Sequence, residues 1–135
     1  MEFKSRTQYA LLAVLDLAAH YEPEKPVKLQ EIADRTGAPA KYLGQILGSL
    51  KKRALVKSSQ GPSGGYWLMR QPALISVAEV WEAVGGGEDR RRRRGLPESR
   101  YSSAVGWLSG RLERQRNELL SGISLADFLG RAGER

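Results

Sequence analysis

Residues 29–69 read LQEIADRTGAPAKYLGQILGSLKKRALVKSSQGPSGGYWLM, and the periodicities inside this stretch decide the fold. In LQEIADRTG, Leu29, Ile32 and Ala33 recur at helical spacing, and Gly37 supplies the backbone freedom that a helix end at a tight turn requires. Pro39 starts the next helix, since a first-turn position needs no N–H. In that helix Leu43, Ile46, Leu47, Leu50 and Ala54 fall at i, i+3, i+4, i+7 and i+11, a stripe expected to be buried. Ala40, Lys41, Gly44, Gln45, Ser49 and Lys52 are left on the opposite face for solvent or a ligand. Two helices joined by a short Gly-containing turn fit a helix-turn-helix, whose second helix meets base edges in the major groove. An ordinary helical hairpin with a solvated basic face fits the two helices equally well.

The residues that follow favour the first reading. ALVKSS and YWLM are β-favouring runs on either side of QGPSGG, so the three make a hairpin with a six-residue tip, a wing. Gly61, Gly64 and Gly65 would let tip backbone approach a phosphate chain, with Gln60 and Ser63 beside them and Lys57 and Arg70 near the base. Between Arg35 and Ala78 there is no Asp or Glu, while Arg35, Lys41, Lys51, Lys52, Arg53, Lys57 and Arg70 are positive. Such one-sided charge on a folded segment points to a polyanionic partner.

Upstream, Ser5 and Gln8 have capping-box spacing, and Tyr9 to Tyr21 is apolar enough for a helix buried on most sides. Ser5, Arg6 and Tyr9 near its start could hold a backbone phosphate, although capping alone accounts for Ser5 equally well. His20, the only histidine, is expected to serve the last helix carbonyls rather than a metal. YEPEKPVKL is a loop in which Val27 to Leu29 could start a small strand against the wing. Downstream, Ser76 and Glu79 form a second capping box with Ile75 and Val80 as a hydrophobic staple. The helix VAEVWEAV then runs into Gly85, Gly86 and Gly87, with Trp81 and Val84 closing the core.

The stretch from Gly85 to Ser99 contains five consecutive arginines, Arg90 to Arg94, whose mutual repulsion favours an extended conformation. A solvated loop, a second phosphate contact and a dock for an acidic effector or partner protein are its three open uses. From Ser99 to Gly122 the pattern becomes a long amphipathic helix. Tyr101, Val105, Leu108, Leu112 and Leu119 follow a 4-3-4-7 spacing, with Gln115 in the skipped seam position. Such a seam suggests pairing with a second copy, and the alternative is packing along this chain's own core. Ser124 opens a short final helix, LADFL, with Ile123 and Phe128 as a further staple.

The 135 residues suffice for one domain and an extension, and a formal net charge of +7 favours nucleic acid or an anionic surface. No apolar run reaches the roughly 18 residues of a transmembrane helix and no cleavable signal pattern is present, so a cytoplasmic protein without membrane contact is expected. With no cysteine, one histidine, no P-loop and no G-x-G-x-x-G opening a helix, neither catalysis, a metal site nor a cofactor is expected.

YALLAVLDLA, AKYLGQILGSLKKRALV and GPSGGYWL together resemble the IscR/NsrR-type winged-helix regulators of bacteria, the Rrf-two family, over nearly the whole chain. The resemblance implies a homodimeric transcription factor, mainly α with a small β wing (α+β). It places a winged helix-turn-helix at 1–84, an Arg-rich loop at 85–99, and a dimerisation helix with a short terminal helix at 100–135. Many members hold an iron–sulfur cluster through three cysteines and a fourth ligand in the loop before the long helix. Here that stretch reads GGGEDRRRRRGLPESRYSS and the chain has no cysteine, so the thiolate cage cannot be built.

On duplex DNA, the expected base and adjacent backbone contacts are Lys41, Tyr42 and Gln45, with Ala40 and Ser49 on the same face. Lys51, Lys52, Lys57 and the wing tip (Gln60, Gly61, Ser63, Gly64, Gly65) would supply phosphate contacts, as would Ser5, Arg6 and Tyr9. Gly44 stands where some relatives carry an acidic side chain that filters target sequences, and Gln60 where cluster-binding relatives often have a wing arginine. A small molecule or partner protein at the Gly85–Ser99 loop is the effector expected. Two other classes compete: a protein-interaction module docking a metabolic enzyme through the arginine loop, and an RNA-binding winged helix.

Overall fold

The computed structural model describes residues 3–86 and 97–133. At its centre is α1 (Ser5–Ala19), where Ala10, Ala13 and Val14 have no solvent exposure and the small alanines let neighbouring helices approach closely. Its start corrects one expectation: Lys4 is the N-cap, no side chain caps the helix, and Gln8 donates instead to the Phe3 carbonyl at 3.1 Å. Ser5 therefore lies inside the first turn, where its hydroxyl cannot serve as the cap of a box with Gln8. At the other end His20 is the C-cap, and its Nδ1 lies 2.9 Å from the Asp16 carbonyl, as expected of an imidazole at a helix terminus.

The helix-turn-helix consists of α2 (Leu29–Thr36) and α3 (Ala40–Lys52). Gly37 occupies the left-handed region at φ 77° and its N–H bonds the Ala33 carbonyl. Pro39 is the N-cap of α3 rather than its first helical residue, and its carbonyl accepts from Leu43 at 3.1 Å. Leu43, Leu47 and Leu50 are fully buried and Ile46 nearly so, as the spacing predicts. Ala54 departs from the stripe. The helix stops at Lys52, and Leu55 N–H to Leu50 O and Ala54 N–H to Lys51 O, both 3.0 Å, form the paired bonds of a Schellman exit. Ala54 takes the left-handed position at φ 58°, its side chain is exposed, and Leu55 enters the core in its place.

An ion pair that composition does not reveal ties α1 to α2. Asp16 is buried, and Arg35 grips it with a two-bond fork, Nε to Oδ1 at 2.8 Å and Nη2 to Oδ2 at 3.0 Å. Hydrogen bonding to that carboxylate raises the Arg35 guanidinium above its ordinary pKa. Arg35 thus belongs to the fold and not to a free cationic face.

The wing pairs β1 (Val56–Ser59) with β2 (Gly65–Leu68) antiparallel, in the register Val56↔Leu68 to Ser59↔Gly65. Gly65 is therefore a strand residue and the tip is one residue shorter than expected. The strand sought at Val27 to Leu29 reduces to one bridge, in which Val27 and Tyr66 exchange two 2.8 Å bonds before α2 begins.

A 3-10 turn at Pro72–Leu74 leads to α4 (Val77–Ala83), followed by α5 (Ser102–Ser121) and α6 (Leu125–Leu129). The Ser76–Glu79 capping box is present, and Ser124 makes a second with Asp127. The two boxes lie side by side: Val77 N–H bonds Ile123 O and Leu125 N–H bonds Ile75 O, both at 2.8 Å. Ile75, Val80 and Leu125 are buried there, and Trp81 and Val84 close the core. Phe3 meets Trp81 edge-on at 5.4 Å, and any Cβ at Gly86 would strike the Trp81 ring. Gly87 and Arg90 to Arg94 lie outside the described residues. Among the described residues no helix is long and apolar enough to cross a membrane.

The Schellman exit generates a test. An L-residue in the left-handed region costs about 1–2 kcal/mol, offset in part by the extra chain entropy glycine loses on folding. Ala54→Gly is expected to stabilise the protein by roughly 0.5–1 kcal/mol, a rise in Tm of about 2–5 °C in thermal denaturation. An unchanged or lower Tm would show that the left-handed alanine is not strained.

Candidate nucleic-acid interface

Burial of the α3 stripe turns the opposite face outward, so Lys41, Gln45 and Lys52 are exposed and Tyr42 retains 52% of its surface. The starts of α1 and α3 meet on this side. The Tyr9 ring stacks on Tyr42 with centroids 6.1 Å apart and planes 14° from parallel. Arg6 Nη2 donates to Ser49 Oγ at 2.6 Å, and Ser49 in turn donates to the Gln45 carbonyl at 3.3 Å. Ser5, Arg6, Tyr9, Tyr42, Gln45 and Ile46 line a cavity of about 350 Å³. Two separate stretches of sequence-predicted residues are thus brought into one place. The first turn of α1 has no acidic residue and no side-chain cap, so its N–H groups and the positive end of the helix dipole remain available to an anion.

The wing extends this surface. Lys51 Nζ donates to Ser58 Oγ at 2.7 Å, linking the end of α3 to β1. Lys57 Nζ lies 5.9 Å from the centre of the Trp67 ring across the register, a cation–π pair that the sequence reading missed. Gln60, Gly61 and Ser63 are exposed at the tip, where Gly61 has φ 94° and its carbonyl accepts from Gly64 N–H at 3.0 Å. Gly64 and Gly65 have an internal reason to be glycine: a Cβ would overlap the Ser59 carbonyl in one case and the Val27 backbone in the other.

Arg70 is withdrawn from the cationic face by a pairing of its own. It donates to Glu79 Oε1 at 2.7 Å and to the Leu74 carbonyl at 2.9 Å. Burial pushes the Glu79 carboxyl up, but bonds from Arg70 and the Ser76 N–H outweigh it and hold the group below its ordinary value. With Arg35 also engaged, Arg6, Lys41, Lys51, Lys52, Arg53 and Lys57 are the cations left to this region.

The seam of α5 points away from this chain's core. Tyr101, Leu112 and Leu119 are more than 60% exposed, Val105 and Leu108 about half, and Leu120 alone in this helix is buried. Packing of the seam on the chain's own core is therefore overturned. Trp107, off the seam and exposed beneath the Arg111 guanidinium at 5.8 Å, has no counterpart in the sequence reading.

The donor set does not fit an iron–sulfur cluster. The chain contains no thiol, and among the described residues no three His, Asp or Glu side chains gather as metal ligands.

Known proteins resemble this chain over most of its length. The family model described as "Rrf2: Iron-dependent Transcriptional regulator" matches residues 3–131. The chain is 40% identical over 134 residues to the HTH-type transcriptional regulator ORF2 of Azotobacter vinelandii, covering 98% of this chain and 81% of that protein. It is 43% identical over 95 residues to the HTH-type transcriptional regulator IscR of Xenorhabdus nematophila, where the match spans 70% of this chain but only 57% of the relative. The solved structure of T. potens IscR superposes with a TM-score of 0.76 at 33% identity, covering 99% of this chain and 90% of that one.

The Arg70–Glu79 pair predicts a pH dependence. Because the folded pKa of Glu79 lies below its ordinary 4.5, the pair's stabilisation is fully present above that pH and is lost as pH falls through the folded value. Glu79→Gln should lower Tm at neutral pH, with the gap to the parent protein closing below pH 4.5. A gap of constant size down to strongly acidic pH would remove the ionic contribution.

Proposed function

The chain belongs to the Rrf2 family of transcriptional regulators, and from that premise we propose that it is a sequence-specific DNA-binding regulator acting as a homodimer without a cysteine-ligated cluster. The junction of α1 and α3 carries this reading. An aromatic stack and an Arg–Ser hydrogen bond hold the exposed Lys41, Tyr42 and Gln45 beside an uncapped helix start. A recognition helix entering the major groove would set Gln45 against adenine and Lys41 against guanine, each pairing worth about 1–3 kcal/mol of discrimination. The start of α1 would meet a flanking phosphate through Ser5, Arg6, Tyr9 and free N–H groups. Lys51, Lys52, Lys57 and the wing tip would follow the backbone further along.

A second copy would cover the seam of α5, giving Tyr101, Val105, Leu108, Leu112 and Leu119 a partner with Gln115 among them. Two recognition helices would then reach half-sites about one helical turn or a multiple apart. In this reading the protein works in the cytoplasm, without catalysis, and its signal enters through something other than a thiolate-bound cluster.

Two expectations follow. In a binding titration at fixed salt, Lys41→Ala combined with Gln45→Ala should reduce the preference for the native promoter over random duplex by about tenfold or more. If the parent protein binds random duplex or RNA as tightly as any promoter fragment, sequence-specific reading fails. In sedimentation velocity the parent chain should run as a dimer, and Leu108→Asp with Leu112→Asp should convert it to a folded monomer with much weaker promoter affinity. A parent that is monomeric at micromolar concentration would sink the homodimer.

A further inference from the structure

A second cavity, of about 440 Å³, opens where the end of α3, the length of α4 and the last turns of α5 come together. Arg53, Ser76, Glu79, Glu82, Asn117 and Ser121 provide its polar walls. Two of these are already committed: both Glu79 oxygens are taken by Arg70 and Ser76, and Ser76 caps α4. The other four are not. Among the described residues the Arg53 guanidinium, the Glu82 carboxylate, the Asn117 amide and the Ser121 hydroxyl have no hydrogen-bonding or ionic partner. Arg53 and Glu82 carry opposite charges on one cavity and yet do not pair with each other.

This combination narrows the ligand. A simple anion would satisfy Arg53 but be repelled by Glu82, and a simple cation would meet the reverse. A molecule with one carboxylate and one ammonium satisfies both, leaving net charge unchanged on binding. Asn117 and Ser121 each offer both donor and acceptor capacity to the polar atoms between the two charges. The volume lies within the range of small-molecule sites, roughly 300–1,000 Å³. We propose that this cavity binds a small zwitterion of the α-amino-acid class, its carboxylate on Arg53, its ammonium on Glu82, and its remaining polar atoms on Asn117 and Ser121. The walls come from the end of the recognition helix, from α4 and from the seam helix. A ligand bridging them favours whichever relative placement closes the cavity around it, which makes the site a regulatory input.

The test uses the full chain and needs no DNA. Each proteinogenic L-amino acid is titrated by calorimetry and by thermal shift, with acetate and methylammonium as single-charge controls. At least one amino acid should bind saturably and raise Tm, while neither control does so. Arg53→Gln and Glu82→Gln, both at exposed side chains, should each weaken binding about tenfold or more without changing the unliganded Tm. Absence of saturable binding by every amino acid up to about 10 mM overturns the proposal. So does an equal response to acetate or methylammonium, or binding that survives both substitutions. Because the readout is independent of operator affinity, failure here leaves the DNA-reading proposal standing, and failure there leaves this one.

Discussion

What α3 presents to the outside is fixed by what it buries inside. Leu43, Ile46, Leu47 and Leu50 are packed into the core shared with α1, where Ala10, Ala13 and Val14 have no exposure. Full burial of one such side chain is worth about 1.5–3 kcal/mol, so the four together rival the roughly 5–15 kcal/mol net stability of an ordinary domain. Rotating the helix by one residue would swing this stripe by about 100° toward solvent, at a cost the fold cannot absorb. Lys41, Tyr42 and Gln45 are consequently held outward by hydrophobic packing, with no polar contact needed to aim them. The Tyr9–Tyr42 stack and the Arg6–Ser49 bond refine that placement and join a second helix to it.

The same packing explains which features could be read from the chain alone. The α3 stripe, the hairpin and the Ser76–Glu79 box are local patterns, each expressed within a few residues. Ser5 and Gln8 carry nearly the same local pattern, yet the helix starts one residue early, behind Lys4, and spacing alone cannot locate that boundary. Ala54 shows the converse failure. The helical period continues arithmetically past Lys52, while the backbone leaves the helix through a left-handed residue that, not being glycine, gives no warning. Charge counting failed for Arg35 and Arg70 because their partners, Asp16 and Glu79, are supplied by other elements outside the acid-free stretch. Gly64 and Gly65 were legible as special but not why, since the atoms a Cβ would strike belong partly to Val27, far away in sequence.

Those two ion pairs also change the electrostatic picture. Arg35 is held by Asp16 and lies 3.5 Å from Glu31, so the α1–α2 side of the molecule is locally balanced. Arg70 is balanced by Glu79 at the start of α4. Among the described residues Lys41, Lys51, Lys52, Arg53 and Lys57, with Arg6, have no acidic partner, and they belong to α3 and its C-cap, the wing and the start of α1. Structural pairing thus takes Arg35 and Arg70 out of the free charge and leaves the cations of α3 and the wing unpaired beside the start of α1. On the proposed reading, attraction to a phosphate chain would orient the molecule as well as hold it.

The remaining question is how a seam that lies away from the core could inform the reading head. The bridge between the segments around Ser76 and Ser124 provides the mechanical answer. Each serine caps its own helix while the residues on either side bond across, so the chain leaving α5 is clamped to the start of α4 by backbone contacts over a buried Ile75–Leu125 base. The helix is therefore anchored at its C-terminal end and exposed along its first half. At 1.5 Å per residue, the 20 residues of α5 extend about 30 Å from that anchor. A tilt of about 5° at the clamp displaces the far end of such a lever by roughly 2.5 Å. The Asn117–Ser121 turn lies beside the clamp and shares its cavity with Arg53 at the end of α3. In the proposed dimer, a change there would alter the separation of the two recognition helices, which the half-site spacing constrains. If the proposed cavity ligand binds, it would act on the reading helices through this anchor, at the C-terminal end of α5 and not along the seam.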